Sequence, residues 1–200
     1  MKHKMFMGTR HYWITTAAIP FIVFCYLLGF STPSYSNEKV RLRIVTNLGN
    51  FTVQLLPRKS PKTVENILKY VDDGFYTNVI FHRVIKNFMV QTGFLTKDEK
   101  KKKTKYPTIK NEAINGIKNL RGTIAMARGP DPHSASSQFF INTKNNPHLD
   151  FTSQNPKGWG YTVFGKVVSG MNVVGRIARQ QTNEENFPIK PVIIKRISRI

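Results

Sequence analysis

The stretch FHRVIKNFMVQTG, residues 81–93, contains parts of two of the short strand-like runs on which the fold rests. Side chains alternate between the two faces of a strand, so the first run places Phe81, Arg83 and Ile85 on one face. An arginine among apolar neighbours costs free energy unless it is paired or used in function. We therefore interpret Arg83 either as half of a structural ion pair or as a functional group.

The second run combines apolar and amide side chains. Alternation there places Phe88, Val90 and Thr92 on one face, and Met89 and Gln91 on the other. The stretch SQFFIN, residues 137–142, repeats this mixture. Aromatic residues and methionine form apolar pockets, and a few arginine and glutamine side chains add directed polar groups. This composition is typical of a small-ligand site; the alternative is ordinary core packing.

Further runs of the same kind predict a mainly β protein. They are bounded by Gly and Pro clusters and cover the ranges Val79–Val84, Phe88–Thr92, Thr123–Ala127, Phe139–Asn142, Val163–Val168 and Val192–Ile197. Before them, apolar residues alternate with polar ones on both sides of the turn-forming residues 47–50, which predicts a β-hairpin. The apolar positions of that hairpin are Val40, Leu42, Ile44, Phe51, Val53 and Leu55.

Two helices complete the predicted fold. Ser60 followed by Pro61 is a helix start, and Gly74 is a stop. Between them, Val64, Ile67, Leu68 and Val71 recur at helical spacing. A second helix is predicted over Met171–Ala178, with Val174 and Ile177 on one side. Eight strands with one early and one late helix predict a closed eight-stranded antiparallel β-barrel capped by two α-helices.

The length and composition of the chain fit one such domain. The 200 residues are 40% hydrophobic, which excludes wholesale disorder. The single cysteine, Cys25, excludes an intramolecular disulfide framework and a multi-cysteine zinc site. His82, His133 and His148 do not have metal-ligand spacing, and His82 is interpreted as a structural histidine with its hydrogen bonds satisfied.

Residues 1–36 differ from the rest and are predicted to be a secretory signal peptide, which leaves 37–200 as the functional domain. Positive charges precede a short apolar run, Ile19–Phe30, and the small residues Ser34 and Ser36 permit cleavage after Ser36. An uncleaved anchor in the inner membrane is the alternative, whereas lipoprotein processing at Cys25 lacks the small residues it needs. We expect export to the periplasm.

The charge is strongly positive, with 31 Lys and Arg against 11 Asp and Glu. Six lysines fall within residues 97–105, and like charges at such density favour a loop. One interpretation is attraction to an anionic partner, which could be nucleic acid, a lipid surface or an acidic client protein. The other, which we favour, is a solvated loop, and predicted export argues against nucleic acid.

Several segments, in order, resemble the cyclophilin family of peptidyl-prolyl cis–trans isomerases over roughly Val40 to Ile200. They are Phe75-Tyr76, FHRVI (81–85), FMVQTG (88–93), Asn111-Glu112, RGTIAMAR (121–128), HSASSQFFIN (133–142) and the stretch Val163 to Met171. The details of 121–128 and 132–142 are similar to the bacterial branch. A signal segment ahead of such a domain resembles the periplasmic bacterial members.

The resemblance implies a site, residue by residue. Arg83 corresponds to the family's catalytic arginine, with Gln91 beside it. The implied proline pocket and groove are formed by Phe88, Met89, Phe140, Leu149, Ala127, Arg128 and Gln138. His148 stands where many eukaryotic members carry a tryptophan, and Tyr161 where the family commonly has a histidine. Both departures put cyclosporin sensitivity in doubt more than isomerase activity.

The expected function is acceleration of Xaa-Pro bond rotation in the folding of exported proteins. The resemblance implies no metal, no cofactor and no covalent intermediate, with proline-containing polypeptides as substrates. We expect a monomer that does not bind nucleic acid and that meets the membrane only through an uncleaved N-terminal segment. The main alternative is a peptide-binding holdase that uses the same groove without turnover. A basic protein that binds anionic lipid or nucleic acid through its lysine loop is a third.

Overall fold

The computed structural model describes residues 39–200, so the predicted signal segment and its cleavage position lie outside the described residues. Within residues 39–200 the chain forms eight β-strands and two α-helices. The strands are β1 (Arg41–Thr46), β2 (Gly49–Leu55), β3 (Val79–Ile85), β4 (Met89–Thr96), β5 (Thr123–Met126), β6 (Phe139–Asn142), β7 (Val163–Ser169) and β8 (Ile193–Arg199). The helices are α1 (Pro61–Asp72) and α2 (Met171–Ala178).

The strands close into one antiparallel barrel in the order β1, β2, β7, β5, β6, β4, β3, β8. The ring closes where the two ends of the domain meet, because β8 pairs with β1 on one side and with β3 on the other. Ile44 lies opposite Ile197 in this closing pair, and Val79 lies opposite Ile194. The predicted closed eight-stranded antiparallel barrel with two helices is confirmed.

The inward side chains of all eight strands build one core. Their alternation is clearest in the predicted hairpin, where the inward residues are all at most 3% exposed and comprise Leu42, Ile44, Phe51, Val53 and Leu55. The inward aromatic residues Phe81, Phe139 and Phe164 are equally buried. Both helices pack against this core, α1 through Ile67 and α2 through Val174 and Ile177. Because the barrel interior is filled, any ligand must bind on its outside or at its ends.

Helix α1 starts at Pro61 as predicted, but Ser60 does not cap it. The Ser60 hydroxyl donates to the Val163 carbonyl at 2.8 Å instead. The carboxylate of Glu112 caps the helix and accepts from the backbone N–H groups of Lys62 and Thr63, at 3.1 and 2.9 Å. A negative charge at a helix N-terminus is favourable, since it satisfies free N–H groups and complements the helix dipole.

A bulge in β3 changes the predicted faces of that strand. Phe81 pairs with Thr92, yet Arg83 pairs with Gln91, so two steps on β3 match one step on β4. His82 is the extra residue, and strand alternation is interrupted there. Phe81 therefore points into the core, while Arg83 lies on the outer face with Ile85. The prediction that Phe81 shares a face with Arg83 was wrong for this reason.

Phe88 also departs from its predicted face. Strand β4 begins at Met89, and Phe88 belongs to the preceding turn, in which Asn87 has a φ of 56°. Because alternation does not extend into the turn, Phe88 packs on the outer side with Met89 rather than inside with Val90. Both departures enlarge the outer apolar cluster.

The lysine-rich segment 97–105 contains no helix, as predicted. Three of its six lysines contact the body of the domain. The Lys101 ammonium lies 5.8 Å from the centroid of the Phe94 ring. The Lys102 ammonium donates to the backbone carbonyl of Phe75 and lies 4.8 Å from the centroid of the Phe75 ring. Lys105 forms an ion pair with Asp73 at 2.8 Å. Neither helix within residues 39–200 has the length and apolar character needed to cross a bilayer.

Candidate active site

A cleft of about 160 Å³ lies on the outside of the barrel, over strands β3, β4 and β6. Nine of the eleven residues predicted for the site line it: Arg83, Phe88, Met89, Gln91, Ala127, Arg128, Phe140, Leu149 and Tyr161. The other two lie beside it. Gln138 contacts Gln91, and His148 stacks on Phe88. The structure therefore brings the whole predicted set into one place.

The floor and walls of the cleft are apolar. Met89, Phe140 and Leu149 are buried and form a cluster on the outer face of the sheet, apart from the barrel core. Phe88 and Tyr161 pack against this cluster, and the Tyr161 ring meets Phe140 edge-on at 5.6 Å. A small apolar ring such as that of proline can lose its hydration here.

One edge of the cleft is a row of polar groups. Arg83 Nη1 lies 3.5 Å from Gln91 Oε1, and Gln91 Nε2 donates to Gln138 Oε1 at 3.0 Å. Arg83 is exposed, and within residues 39–200 it forms no ion pair with a carboxylate. The structural ion pair considered for Arg83 is therefore not formed by the described residues. Its guanidinium presents donors at the mouth of the apolar cleft.

The polar row depends on a close approach of two backbone segments. Gly93 has a φ of 95°, and a Cβ there would lie 2.5 Å from the Ser137 carbonyl oxygen. The Ser137 hydroxyl donates to the Gly93 carbonyl at 3.0 Å across the same gap. A glycine is needed at this position because it lets residues 137 and 138 lie against β4. Gln138 is thereby held within reach of Gln91.

Arg128 has a different role from Arg83. Its Nε donates to the Gly160 carbonyl at 2.9 Å, and its Nη1 donates to the carbonyls of Gly129 and Pro130 at 3.0 and 3.3 Å. The guanidinium carbon lies 4.9 Å from the centroid of the Tyr161 ring. The charge of Arg128 is thus used to hold the wall of the groove together, and its side chain still borders the cleft.

His148 and Trp159 take separate positions. The His148 ring is exposed and stacks on Phe88 with 5.4 Å between centroids and 26° between planes. Trp159 packs elsewhere, against His133 and Phe151 at 4.9 and 5.7 Å. The rim above Phe88 therefore carries an imidazole and no indole.

His82 lies next to Arg83 in the bulge and packs against Phe94, with ring centroids 5.5 Å apart. Burial lowers its pKa to about 4, and the charge of Arg83 adds to the effect. Its Nδ1 is buried without a hydrogen-bond partner. The structural role predicted for His82 fits this environment, but the expectation that its hydrogen bonds are satisfied was wrong.

A network of buried amides, which sequence reasoning missed, holds the pocket from below. Asn146 Nδ2 donates to the Phe88 carbonyl at 3.0 Å and to Asn142 Oδ1 at 2.7 Å. Asn119 Nδ2 donates to the Leu149 carbonyl at 3.0 Å. Two pocket residues on different segments are thus tied to the same group of asparagines. In the sequence, these asparagines are visible only as amides at the end of an apolar strand. The fold is needed to show that they bind the backbone of the pocket residues.

Two other features bear on the chemistry. A wider depression of about 440 Å³ lies beside the end of α2, but Lys86, Arg179, Gln180, Gln181 and Thr182 supply most of its lining, so it offers no comparable apolar pocket. Among residues 39–200, no three His, Cys, Asp or Glu side chains come together as a metal site.

An eight-stranded antiparallel barrel with a filled interior and a proline-sized cleft on its outside defines the cyclophilin class. The family described as cyclophilin type peptidyl-prolyl cis-trans isomerase matches residues 41–199. The chain belongs to this family, and it is therefore a peptidyl-prolyl cis–trans isomerase acting on proline-containing polypeptides.

Similar proteins agree with this assignment. The chain is 48% identical over 157 residues to peptidyl-prolyl cis-trans isomerase B of Escherichia coli, which covers 76% of this chain and 95% of that protein. It is 44% identical over 173 residues to peptidyl-prolyl cis-trans isomerase A of Dickeya dadantii, covering 84% and 89%. A solved cyclophilin type isomerase from Cryptosporidium parvum superposes with a TM-score of 0.68 at 27% identity, covering 82% of this chain and 98% of that chain.

Proposed function

We propose that this isomerase acts on proline-containing segments of exported polypeptides in the bacterial periplasm, with Arg83 as its catalytic residue. The observation that carries the assignment of Arg83 is its position at the mouth of the apolar cleft. There it is exposed, beside Gln91, and unpaired with any carboxylate of residues 39–200. We further propose that the domain works as a monomer and does not use nucleic acid.

The barrier that the enzyme must lower comes from amide resonance. Rotation about a peptide C–N bond costs about 18–20 kcal/mol, so uncatalysed proline isomerisation takes tens of seconds or longer. In the twisted transition state the resonance is lost, and the prolyl nitrogen gains a lone pair that can accept a hydrogen bond. No covalent bond to the enzyme has to form, and no proton has to move.

Arg83 is suited to recognise that lone pair. A guanidinium stays charged at any working pH and holds its donors in a rigid fork. A donor aimed at the prolyl nitrogen binds the twisted state better than the planar ground state, and such a difference in binding is catalysis. A charged hydrogen bond contributes about 1.5–3 kcal/mol, which is one to two orders of magnitude in rate.

The remaining acceleration is assigned to the cleft. Phe88, Met89, Phe140 and Leu149 would hold the proline ring while the preceding carbonyl turns. Exclusion of water there removes solvent that stabilises the planar amide dipole. Gln91 and Gln138, already joined by a hydrogen bond, would bind the flanking peptide backbone. The same Cryptosporidium isomerase has been crystallised in the presence of the dipeptide Ala-Pro, which is consistent with a site for this kind of ligand in the family.

A turnover assay on an Xaa-Pro peptide tests the assignment of Arg83. Residues 37–200 and the Arg83→Ala variant would be compared, with circular dichroism as the check on folding. A folded variant with near-normal turnover would show that Arg83 is not the catalytic residue. Peptide binding without acceleration in the unmodified domain would leave only a holdase role.

Export rests on residues 1–36. Positive charge, a short apolar run and small residues at positions 34 and 36 support cleavage after Ser36. Mass spectrometry of the protein purified from cells decides between the two possibilities. A mature chain beginning at Asn37 supports the signal, whereas an intact chain retained in the membrane replaces the signal with an anchor.

A further inference from the structure

The side of the barrel opposite the cleft carries a cluster of exposed cationic side chains on strands β8, β1, β2 and β7. We call it the basic wall and define it by Arg41, Arg43, Lys166 and Arg196, all of which are exposed. Arg41 and Arg43 are alternate residues of β1, and Arg196 and Lys166 lie on the strands at the two edges of the wall.

Strand register places these four charges on one outer face. Arg41 pairs with Gln54, which in turn pairs with Lys166. On the other side, Arg43 pairs with Ser198, and Arg196 lies two residues before Ser198. Neighbouring strands are about 4.8 Å apart and alternate residues about 7 Å apart, so the wall is roughly 15 Å across. Such a surface is broad and shallow.

The described residues provide no neutralising charge for the wall. The five ion pairs formed within residues 39–200 involve other side chains, including Arg199, which pairs with Asp72 of α1. Strands β1, β2, β7 and β8 contain no Asp or Glu. Several like charges on one shallow surface create a positive potential that attracts an extended anionic partner.

The strand order places the wall directly opposite the cleft. In the ring of eight strands, β1 is four positions from β6, and β2 is four positions from β4. Phe140 of β6 and both Met89 and Gln91 of β4 face the cleft. A partner bound to β1 and β2 would therefore leave the cleft open on the far side.

We propose that the basic wall docks the domain on a membrane surface rich in anionic phospholipid, with the active cleft facing away from it. The N-terminal segment leads directly into the basic wall, because β1 begins at Arg41. The apolar run ends at Phe30, and the residues between Phe30 and Arg41 reach at most about 40 Å when fully extended. As a signal or as an anchor, the two roles proposed for residues 1–36, that segment would bring β1 close to a membrane.

Two exposed apolar side chains border the wall and suit the same partner. Val168 lies two residues beyond Lys166 and is 42% exposed, and Ile200 is 53% exposed. The Ile200 N–H donates to the Arg41 carbonyl at 3.1 Å, so this side chain lies beside the wall. Basic groups with scattered apolar ones are characteristic of proteins that bind at the lipid headgroup level. The proposal extends the sequence expectation, in which only the N-terminal segment meets the membrane.

The test uses residues 37–200, without the apolar run. A domain of this extent is nearly the whole of the Escherichia coli relative, of which the match covers 95%, and Glu38–Ile200 forms one compact unit here. The probes are phosphatidylcholine vesicles with and without about one third phosphatidylglycerol, at physiological salt. Binding is measured by co-sedimentation. The proposal requires binding to the acidic vesicles and little to the neutral ones.

Two variants of equal charge identify the surface. The wall variant carries Arg41→Gln, Arg43→Gln, Lys166→Gln and Arg196→Gln. The matched control carries Lys97→Gln, Lys100→Gln, Lys101→Gln and Lys103→Gln in the lysine-rich loop. At about one kcal/mol per basic residue, the wall variant should bind acidic vesicles at least about a hundredfold more weakly. The control should change only slightly, although its net charge falls by the same amount.

The outcomes that overturn the proposal are specific. Equal loss in both variants would mean that net charge alone drives binding, and loss in the control alone would move the site to the loop. Preference of the domain for duplex DNA over acidic vesicles, removed by the wall variant, would assign the wall to nucleic acid instead. If the wall variant fails to fold, the double variant Arg43→Gln/Arg196→Gln replaces it, with an expected loss of about thirtyfold.

A second readout tests the orientation. Turnover of a soluble Xaa-Pro peptide by vesicle-bound domain should equal turnover by free domain, because the cleft faces away from the lipid. Strong inhibition on binding would show that the cleft, and not the opposite wall, faces the membrane. This readout needs only isomerase activity and does not depend on the role of Arg83, so the two proposals can fail separately.

Discussion

The outer faces of β4 and β6 and of β1 and β2 are built from strands of the same kind on opposite sides of one barrel. On the first face, Met89 and Phe140 are buried under neighbouring segments and form an apolar cleft. On the second, Arg41 and Arg43 stand exposed and nothing within residues 39–200 covers them. One face binds by excluding water, and the other presents charge to water.

The difference is confined to the outward residues of each strand. The inward residues of both sides fill one core and are interchangeable in character, as Ile44 and Ile141 illustrate. A barrel therefore lets two surfaces diverge without disturbing each other, since alternation separates the residues that specify the fold from those that bind. The cleft also depends on the bulge at His82, the turn that contains Phe88 and the buried amide network around Asn146.

The largest difference in isomerase activity should appear between an arginine variant on the cleft side and one on the wall side. Arg83→Ala should lower kcat/KM for an Xaa-Pro peptide by one to two orders of magnitude, because a charged hydrogen bond to the transition state is worth about 1.5–3 kcal/mol. Arg43→Ala, also an arginine on the outer face of a strand, should leave kcat/KM unchanged. Equal losses in both variants would mean that positive charge in general, and not the cleft, accounts for the activity.

The rim of the cleft should control cyclosporin binding. We expect weak inhibition of the unmodified protein and tighter inhibition of His148→Trp. An indole would add about 60 Å² of apolar contact, worth about 1.5 kcal/mol or tenfold in affinity. Its N–H can add about 1 kcal/mol, nearly another factor of ten.

Titration of isomerase activity with the drug measures this effect. Proline turnover should change less than drug affinity in the same variant, because the proline ring would sit deeper, against Phe140. Tight inhibition of the unmodified protein, or no gain in His148→Trp, would show that His148 is not the rim position.

The amide network should stabilise the cleft side only. Asn146→Ala removes hydrogen bonds from the Phe88 carbonyl and from Asn142 in a position that is 2% exposed, so the free energy of unfolding should fall by about 2 kcal/mol. KM should rise as well, since Phe88 loses its support. The neighbouring Asn145 is exposed, and Asn145→Ala should cost less than about 1 kcal/mol in urea denaturation.

The smallest effect expected is a pH dependence from His82. Its pKa in the folded protein, about 4, lies below the ordinary value of 6.5, so the unfolded chain binds a proton first as the pH falls. Stability should therefore be full above pH 6.5 and decline towards pH 4, by about 1 kcal/mol between pH 7.5 and 5.5. His82→Gln should abolish this part of the decline. A variant with the same slope as the unmodified domain would place the titrating group elsewhere.

The strands and helices could be predicted from the sequence. The direction in which side chains near the site point, into the core or outward, could not. The hairpin, the second helix and the six later strands were predicted from local periodicity. This signal depends only on residues that are close together in the sequence. The orientation predicted for Phe81 was wrong because the bulge at His82 exists only in the pairing of β3 with β4. Alternation within one strand carries no information about where its partner slips by a residue.

The same limit applies to the cap of α1 and to the support of the cleft. Ser60 has the residue type of an N-cap, yet Glu112 takes that role from a distant loop, which no local rule predicts. The site residues came from a resemblance rather than from spacing, since Arg83, Phe140 and Tyr161 are far apart along the chain. Their approach depends on the barrel closing.

Closure by the last strand has a consequence for how the chain folds. Until β8 is available, β1 and β3 are open edges. The pairings with β8 that close the ring link residues 113 positions apart at Ile80 and Ile193, and 157 apart at Leu42 and Arg199. Such distant pairing forms slowly, and an unpaired apolar strand edge invites aggregation in the meantime. Charged residues on an edge strand discourage pairing with other chains. During folding, Arg41 and Arg43 would thus keep the open edge of β1 from pairing with other unfolded chains. This role would come before any binding of the folded domain to a surface.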